Sequence, residues 1–169
     1  HGWYRRQRQM CIRDSVDGTD SGAFNSGNFT SVDALEAHPD LDNRVWFCSN
    51  NTYGYMEDGV LTTAPAEGLT ASSTYSDLAI AQDGSYMLIA MSSGKVYRST
   101  DSSFSDFEGI FSGNTSDGDL PQSGIGRVRI KIAQDSSEHA FALYSNSAGY
   151  FKGLDHSAGS AQSGTWELC

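Results

Sequence analysis

The sequence predicts an all-β chain built from repeated units, and three observations carry that expectation. Glycine is abundant (18 residues), proline is scarce (3), and the apolar runs are short and separated by polar turns, a pattern of many short strands. The tetrapeptide IAQD occurs at Ile80 to Asp83 and again at Ile132 to Asp135. The match extends well beyond it. "LAIAQDGSYMLIAMSSGKVYRSTDSS" from Leu78 and "IKIAQDSSEHAFALYSNSAGYFKGLDHS" from Ile130 keep the same order of residue classes. Asp83 and Ser85 correspond to Asp135 and Ser137, Ile89-Ala90-Met91 to Phe141-Ala142-Leu143, and Gly94 to Gly149. Farther on, Val96-Tyr97-Arg98 corresponds to Tyr150-Phe151-Lys152 and Asp101 to Asp155.

A weaker third copy precedes these two. "VDALEAHPDLDNRVWFCSNNTYGYMEDG" from Val32 has an apolar strand ending at Ala37, a turn at His38-Pro39-Asp40, a strand Val45 to Cys48, then Tyr53 and Tyr55. Spacing of about 44 to 54 residues with strands only leaves room for four short strands per unit, which is the signature of β-propeller blades. The expected architecture is a partial β-propeller of about three four-stranded antiparallel blades, over approximately 30–70, 75–112 and 126–169. In each unit the first strand (34–37, 75–81, 128–133) and the second (44–48, 86–91, 140–144) are the most apolar, as strands covered on both faces require. The turns between them are Asp, Gly, Asn and Ser, which tolerate left-handed backbone or bond their own main chain. Asp83 and Asp135 are expected to hold such turns.

The units resemble the BNR or Asp-box repeats of sialidases, sortilin-like receptors, xyloglucanase-type glycoside hydrolases and many secreted bacterial propellers. That family's motif, S-x-D-x-G-x-T-W, sits between the third and fourth strands of a blade. Here "VYRSTDSSFSDF" supplies Ser99, Asp101 and Ser105, with Ser103 where the Gly would stand and Phe107 in place of the Trp. "FKGLDHSAGSAQSGTWEL" supplies Gly153, Asp155, Thr165 and Trp166 around an insertion, and the first unit keeps only Asp58-Gly59. The resemblance covers residues 28–169 and implies a structural motif. Asp101 and Asp155 would accept hydrogen bonds from turn N–H groups while the following aromatic covers the blade edge.

Catalytic constellations are not expected here. Outside the first fifteen residues the arginines are Arg44, Arg98, Arg127 and Arg129, too few for the carboxylate-binding cluster a sialidase resemblance implies, and its Arg-Ile-Pro signature is absent. The stretch "LEAHPDLDNRVWFCSNNTYGY" follows the framework of xyloglucanase-type propellers but gives Ser49-Asn50 where the catalytic Asp loop would stand. Asn can neither protonate a leaving oxygen nor activate water, and inverting hydrolysis needs two carboxyl groups for those tasks. The stretches "DGTDSG" (17–22) and "SDGDL" (116–120) lack the terminal Glu of a calcium loop. The four histidines, His1, His38, His139 and His156, stand apart in the sequence without metal-ligand spacing. Neither a metal nor another cofactor is expected.

Residues 1–15, "HGWYRRQRQMCIRDS", carry four arginines and one acid and resemble the translated read-through of a sequencing adaptor, so they are set aside as non-native. Their removal makes the net charge of −10 three units more negative, which disfavours nucleic acid or an anionic membrane as a partner. No apolar run reaches the roughly 18 residues of a spanning helix. The chain stops within an expected strand at "TWELC", so an internal fragment is expected and the lack of a leader says nothing about export. Of the cysteines, Cys11 lies in the set-aside segment and Cys169 at the end, and Cys48 in "VWFC" is expected as a buried thiol. Three sequons (Asn28, Asn50, Asn114) suit a secreted protein.

The resulting functional expectation is a non-catalytic binding or scaffold propeller of a secreted or cell-envelope protein, with a carbohydrate or a protein as partner. Candidate binding loops contain Asn50, Asn51, Ser92, Ser93 and Asn146, together with the segments 63–74 and 113–126. The alternatives are a piece of a glycoside hydrolase whose catalytic acids lie in other blades and a propeller resembling photosystem assembly factors.

Overall fold

The computed structural model describes residues 31–49, 52–63, 68–69, 74–110, 120, 123–162 and 164–169. Among these residues there is no helix, and the strands form three four-stranded antiparallel sheets. The first contains β1 (Ala34–Ala37), β2 (Arg44–Cys48), β3 (Tyr53–Glu57) and β4 (Val60–Thr63). The second contains β5 (Tyr75–Ile80), β6 (Met87–Met91), β7 (Val96–Ser99) and β8 (Glu108–Gly109). The third contains β9 (Arg127–Ile132), β10 (Ala140–Ser145), β11 (Phe151–Ser157) and β12 (Trp166–Leu168). Each sheet is a meander in chain order. The first strands pack side by side, β1 on β5 and β5 on β9. They form the inner edge of three consecutive propeller blades.

Turn chemistry sets the registers. In the first sheet Asp58 and Gly59 both have positive φ (49° and 79°), the backbone of a two-residue type I′ hairpin that joins Glu57 to Val60. In the second, Asp83 Oδ1 accepts from the Ser85 N–H at 3.1 Å and from its hydroxyl at 2.6 Å, and the turn closes with Ala81 N–H donating to Tyr86 O. Gly94, at φ 98°, turns the chain from β6 to β7, and a β-carbon there would meet Ile125 Cβ at 2.9 Å.

The corresponding turn of the third sheet is one residue longer, because Ala133 N–H reaches His139 O. Ile132 therefore faces Ala140 where Ile80 faces Met87. Ser136 holds this turn: its hydroxyl accepts the Glu138 N–H and its carbonyl accepts the His139 N–H. The role expected of Asp135 thus passes to its neighbour. The sequence alignment of Ile89-Ala90-Met91 with Phe141-Ala142-Leu143 is displaced by one place. Met87, Ile89 and Met91 are matched by Ala140, Ala142 and Tyr144, and a slip of one residue exchanges the two faces of a strand.

Two apolar layers separate the sheets. Trp46, Tyr53, Met87, Ile89, Phe104 and Phe107 fill the layer between the first and second. Leu88, Val128, Ile130, Tyr144 and Trp166, with a set of alanines, fill that between the second and third. β6 lies between both layers and is buried at every position. β10 alternates buried and exposed, because its Phe141 and Leu143 point away from the second sheet.

Candidate functional site

The ends of the three inner strands surround a cavity of about 400 Å³. Glu36, Pro39, Ala79, Gln82, Lys131 and Gln134 are among the residues that line it. Lys131 Nζ reaches across β5 to Glu36 Oε1 at 2.8 Å, joining the third sheet to the first. Farther along the same strands, Arg129 Nη1 pairs with Asp77 Oδ1 at 3.3 Å and donates to Ser76 O at 2.8 Å. Asp77 Oδ2 accepts the Ile130 N–H at 2.9 Å, and the Ser76 hydroxyl donates to Val128 O. A register shift between Tyr75 and Asp77 lets β5 present both residues to β9.

These contacts decide what the inner strands can do chemically. Burial pushes the Asp77 carboxyl above its usual value, opposed by the Ile130 N–H and by Arg129. The hydrogen bond to Glu36 raises Lys131 against the effect of burial. Among the described residues lining the cavity Glu36 is the one carboxylate, and it is occupied by Lys131. Acid–base hydrolysis needs two carboxyl groups with separate tasks. What the mouth presents instead is the amides of Gln82 and Gln134, both exposed, beside small apolar side chains.

Of the expected binding-loop residues, Ser92, Ser93 and Asn146 lie at the opposite end of the strands, because β6 and β10 run away from this mouth. Asn50 and Asn51 lie outside the described residues, as do most of 63–74 and 113–126. Ser93 is exposed, and Ser92 N–H donates to Thr74 O at 2.8 Å. Asn146 holds its own turn, Oδ1 accepting from the N–H groups of Ala148 and Tyr150 at 3.0 and 2.9 Å.

The Asp-box-like residues divide into two groups. Asp101 follows β7 and its carboxylate is the centre of a closed turn. It accepts from the Ser99 hydroxyl at 2.8 Å, the Ser103 N–H at 2.8 Å, the Ser105 N–H at 2.9 Å and the Asp106 N–H at 2.9 Å, and also from the Ser103 hydroxyl. Partial burial raises this carboxyl, but the hydrogen bonds from Ser103, Asp106 and Ser99 outweigh it, so it lies well below the usual carboxylate range.

Asp155 differs. It lies within β11, opposite Ala142 and Leu168, four residues before the place that corresponds to Asp101, and burial raises its carboxyl. The register matches Ser157, opposite Ala140, with Ser99, opposite Met87. The third sheet's outer hairpin is held by hydroxyls, Ser157 Oγ and Thr165 Oγ1 lying 2.6 Å apart, with Thr165 also donating to Gln162 O. Phe107 and Trp166 occupy matching places at the start of the fourth strand, each buried against the preceding sheet.

One juxtaposition is invisible in the sequence. His139, at the entry to β10, and His156, on β11, lie 2.9 Å apart between Nδ1 and Nε2. The sequence shows four separated histidines, and only the β10–β11 register, which puts Phe141 opposite His156, brings these two to one face. Among the described residues no group of three or more His, Cys, Asp or Glu is placed to hold a metal ion.

No family model matches the chain, and no curated protein sequence matches it. Solved structures do. A nidogen/laminin complex superimposes with a TM-score of 0.57 at 12% identity, over 81% of this chain and 47% of that one. The GH74 xyloglucanase of Xanthomonas campestris gives 0.57 at 17% identity, over 83% of this chain and 18% of its own. YCF48 from Cyanidioschyzon merolae gives 0.55 at 12% identity, over 81% and 39%. The structural relatives are propeller proteins, and the fold of this chain is that of a β-propeller segment. The chain spans less than half the length of each of these three.

Proposed function

We propose that the chain is part of a non-catalytic binding or scaffold propeller of the Asp-box repeat kind, in a secreted or cell-envelope protein, and that a neutral polar ligand meets the mouth formed by β1, β5 and β9. The observation that carries this reading is the use of the inner-strand acids. Glu36 and Asp77 are each tied to a cation of the third sheet, so the charges of this face join blades to one another. The amides of Gln82 and Gln134 remain to be recognised, and amides suit sugar hydroxyls or a peptide backbone better than they suit ions. The closed turn around Asp101 supports the Asp-box reading, since a carboxylate collecting turn N–H groups is the chemistry that motif requires.

The test is calorimetric titration of the chain with xyloglucan and β-glucan oligosaccharides, with reducing sugar measured in the same samples. Saturable binding that weakens in Q82A/Q134A, without sugar release, is the expected result. Release of reducing sugar that Glu36→Gln abolishes would overturn the non-catalytic reading. Absence of binding to every glycan would remove carbohydrate and leave protein as the partner class.

A further inference from the structure

We infer that two copies of this chain dock front to back, the outer face of the third sheet of each on the outer face of the first sheet of the other, and so close a six-bladed ring. Equivalent positions in the three sheets carry the assignment. Their first turns close with His38 N–H on Arg44 O, Ala81 N–H on Tyr86 O and Ala133 N–H on His139 O, which aligns the sheets residue by residue. Two residues past Arg44, Tyr86 and His139 stand Trp46, Leu88 and Phe141, and four residues past them Cys48, Ala90 and Leu143. Trp46 and Cys48 are sealed in the layer against the second sheet, and Leu88 and Ala90 in the layer against the third. Phe141 and Leu143 point the same way from the third sheet, yet are 37% and 45% exposed.

The first sheet has the matching half of this joint. Three residues before His38, Ala81 and Ala133 stand Leu35, Leu78 and Ile130. Leu78 is buried against the first sheet and Ile130 against the second, whereas Leu35 is 55% exposed. Its row across the sheet is Leu35, Phe47, Gly54 and Thr63, and the next row on the same face is Ala37, Val45, Met56 and Leu61. Neither row holds a charged side chain. At each joint within the chain, the face with Trp46 or Leu88 receives the face with Leu78 or Ile130. The face with Phe141 and Leu143 therefore fits the face with Leu35.

Charge and number favour a second copy as the occupant. β9 carries Arg127, Arg129 and Lys131, while Glu36 lies in β1 and Asp33 just before it. Inner strands of successive blades lie side by side, so β9 of one copy comes beside β1 of the other. Opposite charges then meet there, as they do in the Arg129–Asp77 and Lys131–Glu36 pairs. Each copy brings three sheets, and two copies reach the range of about four to eight blades in which propellers close. The same pair of faces is used twice about a twofold axis, so neither stays open. Burial of Leu35, Phe141 and Leu143 supplies the apolar driving force. The contact lies between blades and is independent of any ligand at the mouth.

The experiment is sedimentation equilibrium of the full chain over a range of concentrations, with circular dichroism of every variant. Expected are a mass twice that of the chain that grows no further, and monomers for L35E and for L143K with the parent's spectrum. Leu35 and Leu143 are exposed in the single chain, so these substitutions leave its interior intact. Mixed together, L35E and L143K should regain the dimer. One joint then keeps both parent faces, and the other brings the introduced carboxylate and ammonium together. A parent chain that stays monomeric overturns the proposal and leaves blades outside this sequence as the cover. A mass that rises without limit, a dimer that survives either substitution, or a mixture that remains monomeric overturns it as well.

Discussion

The two layers between the sheets are packed by different means. In the first layer Trp46 stacks on Tyr53 with centroids 5.2 Å apart and meets the edge of Phe104 at 5.6 Å, while Tyr53 OH donates to Phe104 O at 2.8 Å. In the second, Ala79, Ala81, Ala90, Ala140, Ala142 and Ala161 let the sheets approach, and Leu88, Tyr144 and Trp166 fill the space between them. The outer hairpins repeat the contrast. Each tucks a residue with left-handed backbone into the layer behind it, Phe104 at φ 48° in one and Ala161 at φ 57° in the other, and both are almost completely buried. One blade-to-blade geometry is thus reached with a ring where there is room and with a methyl where there is not. A left-handed non-glycine residue costs about 1 kcal/mol or more, so both hairpins must offset it. The second sheet's hairpin does so through Asp101, whose carbonyl also accepts the Phe104 N–H.

Removing the central ring of the aromatic layer breaks the comparison most severely. Trp46→Ala leaves a cavity that Tyr53 and Phe104 cannot fill, and should cost about 3–5 kcal/mol in denaturant unfolding. Overfilling is the matching test in the other layer. Ala142→Leu forces extra volume against the second sheet and should cost about 1–3 kcal/mol. If Ala142→Leu is neutral, the alanine layer is not closely packed and the contrast between the layers fails.

The Asp101 turn comes next in size. Asp101→Ala removes the acceptor of several turn N–H groups and should cost roughly 1–2 kcal/mol, as the loss of a helix cap does. The dependence on pH separates charge from shape. The folded carboxyl lies below its unfolded value, so its contribution is present above the ordinary carboxylate range near pH 4 and is lost as pH falls toward the folded value. Asp101→Asn should therefore be less stable at pH 7 and lose less stability between pH 5 and pH 2 than the parent chain. Equal acid sensitivity of the two proteins would show that the carboxylate's charge does not hold the turn.

Much of the fold was legible in the sequence, because hydrophobic pattern and turn residues are local signals. The strands around Ala34–Ala37, Arg44–Cys48 and Met87–Met91 lie where their apolar runs predict. Cys48 is buried, and burial pushes its thiol up to about 12. What the pattern could not fix was register across an unequal turn. One extra residue between Ala133 and His139 displaces the alignment of β10 by one place, and the same kind of error put Asp155 in a turn when it lies within a strand. The site was less legible still. The cavity is made by the ends of three strands distant in sequence, and the histidine pair depends on the β10–β11 register.

The smallest expected effect concerns the pair that joins the two outer sheets. Lys131 is largely exposed and Glu36 about one-third exposed at the side chain, so water and salt screen their attraction and side-chain ordering opposes it. Lys131→Met should cost no more than about 1 kcal/mol at low salt. The difference from the parent chain should shrink further in 1 M NaCl, where the Debye length is about 3 Å. Contact with Glu36 raises Lys131 above 10.5, so the contribution is full at neutral pH and is lost as pH rises through the raised value. A larger, salt-insensitive loss would mean that the lysine stem, lying across β5, packs the inner edge through its methylenes. In that case the inner edge, like the aromatic layer, would be held by fitted volume, with charge serving only to choose the partner strand.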